Sequence, residues 1–383
     1  MAAPWAVGRL ARERRGSLQM TELRAAPETS PDGRAAGSDA ELHLHLMEDM
    51  LFARRASERL WNLQRQGRIA TIAPLTGQEA AIVGVVRALD LAHDWLAPYY
   101  RELLGMAALG DEFLEHIVGY WRGHPDGGRI PDGVLCLPPQ ISLGTQVPHA
   151  AGIAWSLKLQ GKPGVACTFI GDGATSEGDF YEGLNLAGVQ RVPLLVVVLN
   201  NGWAISTPTT RQTAAATFAA KAEGVGVPSV RVDGNDVLAV LEAARTARAR
   251  AAAGEGPMLL ELITYRMGAH TNSDDPTRYV PAGDLAAWKE RDPIELFRAR
   301  LRELGDWDDA AYQSLVDTVE VRLERIIDAA FEHEVDPNDA LDHVTAHDSP
   351  RLARERDELR GRVTGQSDDD DDDSDDGDIS WRA

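Results

Sequence analysis

Two polar stretches of the sequence combine residue types and spacing that suit a magnesium site. The letters GDG at 171–173 follow one apolar run, and the letters NN at 200–201 follow the next. Glycines allow the tight turn that brings a backbone close to a ligand. Asp172 and Asn201 offer the hard oxygen atoms that Mg²⁺ prefers, and protein-bound Mg²⁺ commonly keeps phosphate oxygens among its ligands. Together the two stretches predict a site for Mg²⁺ and a diphosphate.

Other interpretations of these stretches are weaker. GDG and NN both favour ordinary turns, and either one alone would indicate nothing more. The run GDGATS lacks the third glycine of a dinucleotide-binding fingerprint, and the sequence contains no Gly-Lys-Ser/Thr phosphate loop. The combination of both stretches, each after a predicted strand, therefore favours the metal.

The elements that must position these residues alternate between strand and helix, which predicts an α/β fold with a doubly wound, mostly parallel sheet flanked by helices. Ligands of such sheets gather beyond the carboxyl ends of the strands. The predicted strands are 165–170, 194–199, 229–232 and 258–264. The predicted helices are 40–66, 78–91, 150–159, 176–189 and 237–252, with further helices from 285 to 331. We expect one large domain at 39–362.

Both ends differ in composition from this domain. Residues 1–38 lack hydrophobic periodicity and predict a disordered extension, and residues 363–383 predict an acidic low-complexity tail. The tail holds nine aspartates between 368 and 378, yet the net charge of -21 leaves about -12 for the rest of the chain. An acidic balance disfavours nucleic acid as a partner. With few lysines beside many arginines, it suggests adaptation to high salt, although a GC-rich genome would also favour arginine over lysine.

Location and compartment can also be predicted. No apolar run reaches the roughly 18 residues of a membrane span, and no secretory core is present. The two cysteines, Cys136 and Cys167, form no Cys-x-x-Cys pair, which favours a reducing compartment. The arginines near the N-terminus imitate a mitochondrial transit peptide, but Glu13 and later acidic residues count against one. We expect a cytoplasmic prokaryotic protein.

Longer motifs resemble a known family. The stretches GDGATSEGDFYEGLNLAG, NNGWAISTP, VDGNDVLAV and YRMGAHTNSDDPTRY resemble the α subunit of two-subunit, thiamine diphosphate-dependent E1 components of 2-oxo acid dehydrogenases. The stretches RGHPDGGRIPDGVLCLPPQISLGTQ and KERDPIELFRARL are most similar to the pyruvate dehydrogenase branch. The resemblance runs from about residue 40 to 335. At Leu199, branched-chain relatives often carry an arginine, so this position also disfavours that branch.

The resemblance implies roles for individual residues. Asp172 and Asn201 would be side-chain ligands of Mg²⁺, and the backbone carbonyl of Trp203 would be a third ligand. The implied cofactor contacts are the side chains of Tyr100 and Arg101 with the diphosphate, the backbone of Ile141 and Leu143 with the aminopyrimidine ring, and the amides of Gly173 and Ala174 with the phosphate. His270 would face the thiazolium ring and the substrate, positioned by Arg266, Asp274 and Tyr279.

The chemistry of these side chains agrees with such roles. The planar fork of Arg101 suits a phosphate. His270 could transfer protons or donate hydrogen bonds near neutral pH. Arg266 could attract a 2-oxo acid carboxylate, although an arginine shortly after a strand is more often part of a surface ion pair. His124 and His149 receive no role from the sequence.

The resemblance implies an enzyme that decarboxylates pyruvate oxidatively and transfers the acyl group to the lipoyl group of an E2 acyltransferase. A β subunit would complete an α2β2 heterotetramer, because no glutamate here matches the one that family members place against the aminopyrimidine. Glu177 and Glu182 are the nearest candidates. Branched-chain 2-oxo acid dehydrogenase and acetoin dehydrogenase remain alternatives within enzymes, and a non-catalytic regulatory subunit is the alternative outside them.

Overall fold

A computed structural model describes residues 36–305, 307–333, 341, 344–347 and 349–364. The predicted N-terminal extension therefore lies outside the described residues up to residue 35, and the acidic tail lies outside them beyond residue 364. The first helix begins at Ala36, three residues before the predicted start of the domain.

A parallel sheet forms the centre of the fold, as predicted. In the described part of the chain its strands run in the order β1-β2-β3-β7-β6, and every neighbouring pair is parallel. A two-stranded antiparallel hairpin, β4 and β5, stands apart from it. The strands are β1 (Trp95–Ala97), β2 (Ala166–Gly171), β3 (Leu194–Asn200), β4 (Trp203–Ala204), β5 (Thr207–Pro208), β6 (Ser229–Asp233) and β7 (Met258–Ile263).

Helices cover both faces of the sheet, which confirms the doubly wound prediction. Side chains along a strand alternate between faces. In β3, Leu195 and Val197 join one hydrophobic cluster, whereas Val196 and Val198 join the other. The helices are α1 (Ala36–Arg65), α2 (Glu79–Val86), α3 (Asp111–Arg122), α4 (Gln146–Gln160), α5 (Gly178–Gln190), α6 (Ala219–Glu223), α7 (Val237–Ala252), α8 (Asp284–Lys289), α9 (Pro293–Leu304), α10 (Asp309–Glu332) and α11 (Pro350–Thr364).

Most predicted elements are confirmed, with corrections at their ends. Helix α7 has the predicted bounds, and Asp236 caps it by accepting hydrogen bonds from two backbone amides of its first turn. The helix predicted for 78–91 ends at Val86, and the one predicted for 150–159 begins at Gln146. The helix predicted for 176–189 begins at Gly178 instead, because Glu177 is extended and separates it from a short 3-10 turn.

Six elements of the fold were not predicted from the sequence, namely β1, β4, β5, α3, α6 and α11. Strand β1 and the hairpin strands have only two or three residues each, too few for a periodic pattern. Helices α3 and α11 were not predicted either, although α3 carries acidic residues in its first turn and Arg122 in its last. None of the helices in the described ranges is long and apolar enough to cross a membrane.

Candidate active site

The two predicted metal ligands leave the sheet side by side. Strands β2 and β3 are adjacent and parallel, and Gly171 is level with Leu199 in their register. Asp172 and Asn201 therefore follow the carboxyl ends of neighbouring strands. Only 1% of Asp172 and 4% of Asn201 are exposed. This arrangement brings two hard oxygen ligands to one buried edge of the sheet, where such folds bind ligands.

Asp172 is a buried carboxylate with an internal hydrogen-bond donor. Burial raises the pKa of Asp172 to about 6, against the lowering effect of the hydrogen bond from Gln212. The Nε2 atom of Gln212 donates to Asp172 Oδ2 over 2.7 Å and to the carbonyl oxygen of Thr207 over 3.0 Å. A nearby cation would favour the charged carboxylate further, because opposite charges lower the pKa of an acid.

Two hydrogen bonds determine how the Asn201 side chain is oriented. The backbone amide of Trp203 donates to Asn201 Oδ1 over 3.2 Å. Asn201 Nδ2 donates to Gln78 Oε1 over 3.1 Å. Because a backbone N–H can only donate, the oxygen of Asn201 must lie on that side. Its second lone pair remains suited to a metal ion.

The β4–β5 hairpin packs over the GDG turn. A Cβ atom added to Gly173 would lie 2.6 Å from the Cβ of Ala204, so only glycine permits this approach. Gly173 and Ala174 begin the 3-10 turn after β2. The carbonyl oxygen of Trp203, the predicted third metal ligand, accepts a hydrogen bond from Arg266 Nη1 over 3.3 Å. A carbonyl oxygen has two lone pairs, so this bond leaves one for a metal.

Arg101 and His270 are in direct contact. Arg101 is 2% exposed, and its Nη2 atom lies 2.9 Å from His270 Nδ1. Its Nη1 atom donates to the carbonyl oxygen of Pro74 over 2.6 Å, and its guanidinium lies 5.7 Å from the ring centre of Tyr100. Burial, followed by the charges of Arg101 and Arg266, lowers the pKa of His270 to about 4. His270 is therefore neutral at physiological pH.

Arg266 is buried at 4% exposure, so the interpretation as a surface ion pair is wrong. A buried guanidinium needs acceptors, and the loops around it supply them. Its acceptors are the carbonyl oxygens of Trp203, Ile205 and Gly268 and the hydroxyl of Tyr279. Asp274 Oδ2 accepts from the backbone amide of His270 and from the hydroxyl of Tyr279, each over 2.6 Å. The four residues predicted to act together thus form one network.

The predicted aminopyrimidine-binding loop is open on this chain. Ile141 is 52% exposed and Leu143 is 44% exposed. The Nε2 atom of Gln146 donates to the carbonyl oxygens of Gln140 and Ser142 over 2.8 and 3.0 Å. These bonds hold the loop backbone in place from the start of α4, while its apolar side chains stay uncovered.

Three glutamines of this region were missed by the sequence analysis. Gln78 contacts Asn201, Gln212 contacts Asp172, and Gln146 holds the 140–142 backbone. Each also has one buried side-chain atom without a hydrogen-bond partner in the described part of the chain, namely Gln78 Nε2, Gln146 Oε1 and Gln212 Oε1. They come from three separate segments, and no spacing in the sequence distinguishes them.

Of the two histidines without a predicted role, His149 lines a pocket together with Gln140 and Gln146. His149 is exposed on α4. His124 precedes a short 3-10 turn and accepts a hydrogen bond from the backbone amide of Asp126. Neither is among the hydrogen-bond partners given above for the residues of the site.

The donor set fits Mg²⁺ better than a transition metal. Among the described residues, no group of three or more His, Cys, Asp and Glu side chains could hold a metal. A carboxylate, an amide oxygen and a backbone carbonyl are hard ligands, and this set with several remaining positions is what Mg²⁺ uses. The unpartnered buried amide atoms of Gln78 and Gln212 indicate, in addition, that a polar ligand belongs beside the two predicted metal ligands.

Comparisons with known proteins agree with this geometry. The family model described as dehydrogenase E1 component matches residues 47–338. A protein of Staphylococcus aureus (strain Mu50) named pyruvate dehydrogenase E1 component subunit alpha is 41% identical over 317 residues, covering 82% of this chain and 85% of that protein. A protein of the same name from Staphylococcus epidermidis (strain ATCC 12228) is 40% identical over 321 residues, with the same coverage of each chain.

Proposed function

This chain belongs to the dehydrogenase E1 component family, and we propose that it is the α subunit of a thiamine diphosphate-dependent pyruvate dehydrogenase. The enzyme decarboxylates pyruvate oxidatively and transfers the acyl group to the lipoyl group of an E2 acyltransferase. The observation that carries this proposal is the meeting of Asp172 and Asn201 at neighbouring strand ends. The names of relatives that match over 82% of the chain support it.

When bound, the cofactor would supply a nucleophilic carbon for the 2-oxo group and a ring that serves as the electron sink for decarboxylation. We assign its diphosphate to Arg101, Tyr100 and the amides of Gly173 and Ala174. Arg101 is suited to this task because its buried guanidinium lies beside the catalytic histidine and can form paired bonds with a phosphate.

Mg²⁺ is assigned to Asp172, Asn201 and the carbonyl oxygen of Trp203. Burial of these groups supports the assignment. An ionised carboxylate at 1% exposure is unfavourable unless a positive charge accompanies it. Mg²⁺ would supply that charge and link the site to a diphosphate.

We propose that His270 acts as a neutral hydrogen-bond donor. Arginine has only donors, so the contact between Arg101 Nη2 and His270 Nδ1 requires that Nδ1 accept and that the proton reside on Nε2. That proton is available to a substrate oxygen that gains negative charge. Arg266, Asp274 and Tyr279 are positioning residues, because their polar groups bind one another and the hairpin carbonyls.

The partner is proposed to be an E1 β subunit in an α2β2 assembly. The exposed Ile141 and Leu143 support this idea, since a cofactor ring bound there would stay open to water on the α chain alone. The candidate carboxylate within this chain is Glu177, which packs beside the loop: a Cβ added to Gly144 would lie 2.8 Å from its Cβ. Glu177 is exposed and therefore tests the alternative directly.

The proposal is tested by comparing the chain alone with the chain co-expressed with a β subunit. We expect a heterotetramer by light scattering, and pyruvate decarboxylation only in the assembly. Asp172→Ala should abolish cofactor binding in calorimetry, and His270→Ala should reduce turnover by about 10²–10⁴-fold with little change in cofactor affinity. Full activity of the chain alone that disappears in Glu177→Gln would contradict the two-subunit assignment. Failure of the assembly to bind the cofactor would contradict the function.

Substrate preference has its own assay. Pyruvate, 2-oxoisovalerate and acetoin should be compared with the same assembly, and we expect the highest kcat/KM for pyruvate. Leu199, which stands where branched-chain relatives often carry arginine, is fully buried in the core and offers no charge to the site. A preference for 2-oxoisovalerate would move the protein to the branched-chain group, and absence of turnover with every substrate would favour a regulatory subunit.

We also propose that residues 39–362 form one domain, since both hydrophobic clusters pack on the same sheet. The bacterial origin of the relatives supports a cytoplasmic location for the enzyme. Adaptation to high salt stays a prediction. Salt screens repulsion between acidic groups over a Debye length of about 3 Å at 1 M. A higher melting temperature in molar KCl than in dilute buffer would support it, and an unchanged one would contradict it.

A further inference from the structure

Gln212 links the carboxylate of Asp172 to the hairpin that covers it. Its Nε2 atom donates to Asp172 Oδ2 over 2.7 Å and to the carbonyl oxygen of Thr207, at the start of β5, over 3.0 Å. Both partners are acceptors, so the amide cannot be turned over without placing oxygen against oxygen. The orientation of Gln212 is therefore determined by its contacts.

The other end of the amide is buried and lacks a partner. Gln212 Oε1 has no hydrogen bond in the described part of the chain. A buried acceptor without a donor destabilises a structure, and such atoms in native proteins commonly mark the place of a water or ligand. This atom belongs to the amide that contacts a predicted metal ligand. A water coordinated to the metal is a donor of the right kind, because Mg²⁺ keeps several waters in protein sites.

The backbone of Asp172 is held by different groups. Thr175 Oγ1 donates to the carbonyl oxygen of Asp172 over 2.7 Å. Lys221 Nζ donates to Thr175 Oγ1 over 2.7 Å and to the carbonyl oxygen of Thr175 over 3.0 Å. The turn therefore keeps its own supports when Gln212 is changed, whereas the described hydrogen bond to the carboxylate is lost.

We propose that Gln212 is a positioning residue of the magnesium site: it orients the Asp172 carboxylate through Nε2 and accepts a hydrogen bond from a metal-bound water through Oε1. This inference rests on the proposed function. Groups behind metal ligands commonly change metal affinity by about 10–100-fold when removed. Gln212 does not touch the reacting atoms, so its loss should change the requirement for metal and leave the chemistry intact.

The test uses the α–β assembly with Gln212→Met, and Gln66→Met, an exposed position at the end of α1, as the matched control. Mg²⁺ is titrated at fixed thiamine diphosphate and followed by tryptophan fluorescence, since Trp203 lies at the site. We expect the half-saturating Mg²⁺ concentration to rise by about 10–100-fold in Gln212→Met. The metal-free assembly should still unfold cooperatively, and excess Mg²⁺ should restore turnover. Gln66→Met should match wild type throughout.

Each other outcome counts against the inference in a distinct way. If the half-saturating Mg²⁺ concentration of Gln212→Met equals that of wild type, the proposed role of Gln212 is wrong and the proposed function is unaffected. A lower kcat that excess Mg²⁺ does not restore would assign Gln212 a purely structural role. If neither Gln212→Met nor Gln212→Leu assembles with the β subunit, the same structural role follows. Absence of Mg²⁺-dependent binding in wild type would overturn both the proposed function and this inference.

Discussion

His270 Nδ1 lies 2.9 Å from Arg101 Nη2, so the histidine faces a permanent positive charge with its acceptor nitrogen. The contact ties the loop after β7 to the segment after β1, which are distant in sequence. Burial is the largest cause of the lowered pKa of His270, and the guanidinium lowers that pKa further, because a second positive charge beside it is unfavourable. The same arginine is the proposed ligand of the diphosphate, so we expect cofactor binding to be coupled to the protonation of His270.

The tautomer of His270 can be measured directly. In the cofactor-free chain labelled with ¹⁵N-histidine, we expect the signals of His270 to report a neutral ring with the proton on Nε2 from pH 5.5 to 8. Its pKa should lie near 4. Exchanging Arg101 for methionine removes a charge that lowers this pKa, so in Arg101→Met it should move toward the usual value of about 6.5. An unchanged pKa in Arg101→Met would contradict the electrostatic coupling.

Asp172 should make the metal-free protein less stable as the pH rises. Its pKa is raised to about 6 in the folded state, above about 3.9 in the unfolded state. The contribution of Asp172 to the free energy of unfolding is therefore fully present below about pH 4 and is lost as the pH rises through 6. The loss is at most on the order of 3 kcal/mol, from about 1.4 kcal/mol per pKa unit.

Asp172→Asn removes this titration and keeps an acceptor for Gln212. Calorimetric melting of the metal-free assembly at pH 5 and 8 should show a smaller decline in the variant, together with loss of Mg²⁺-dependent cofactor binding. If the melting temperature falls equally in wild type and Asp172→Asn between pH 5 and 8, the ionised carboxylate of Asp172 is not destabilising.

Glu102 should have a similar effect over a wider pH range. It is fully buried, its Oε1 accepts from the backbone amide of Tyr99 over 2.6 Å, and its Oε2 has no partner in the described part of the chain. Burial raises the pKa of Glu102 to about 8 in the folded state, compared with about 4.3 in the unfolded state. The contribution of Glu102 to the free energy of unfolding therefore declines as the pH rises from about 4.3 to 8.

Glu102→Gln keeps the acceptor for Tyr99 without a charge, so the variant should melt above wild type at pH 8.5 and close to it at pH 5. The control is Glu112→Gln on α3, whose carboxylate is exposed. A melting temperature below wild type at both pH values would show that the ionised form of Glu102 is needed.

The sequence could predict the parts of this site that depend on strand ends. Asp172 and Asn201 each follow an apolar run, and parallel strands bring such positions together without any long-range information. The sheet itself was predictable for the same reason. Strands β2, β3 and β7 are mostly apolar and buried on both faces, with Thr168 in β2 and Glu261 in β7 as buried polar exceptions.

The burial of Arg266 and the roles of the glutamines depend on tertiary contacts, which the sequence does not indicate. Arg266 is buried because carbonyl oxygens of the hairpin, more than 60 residues earlier, accept its hydrogen bonds. Gln78 and Gln212 become important only because Asn201 and Asp172 lie next to them in space. A polar side chain in a loop has no periodicity, so its partners can be found only from the folded structure.

Gly77 provides the last prediction, because its backbone touches the loop that leads to His270, the proposed catalytic residue. Its φ is +91°, and an added Cβ would lie 2.3 Å from the carbonyl oxygen of Tyr265 and 2.8 Å from Met267 Cγ. Gly77→Ala must displace one of these two segments. We expect a loss of more than about 3 kcal/mol in stability, beyond the range of most single substitutions, and weaker cofactor binding because Gln78 follows directly.

Gly67→Ala is the matched control for Gly77→Ala. Gly67 has a φ of +72° and nothing within 4 Å of an added Cβ. Gly67→Ala should therefore destabilise the protein only through the left-handed backbone conformation, by about 1–2 kcal/mol, and should leave cofactor affinity unchanged. Thermal unfolding and cofactor titration of both variants measure the difference. Equal losses of stability would show that the close approach between Gly77 and Tyr265 contributes nothing beyond the backbone conformation.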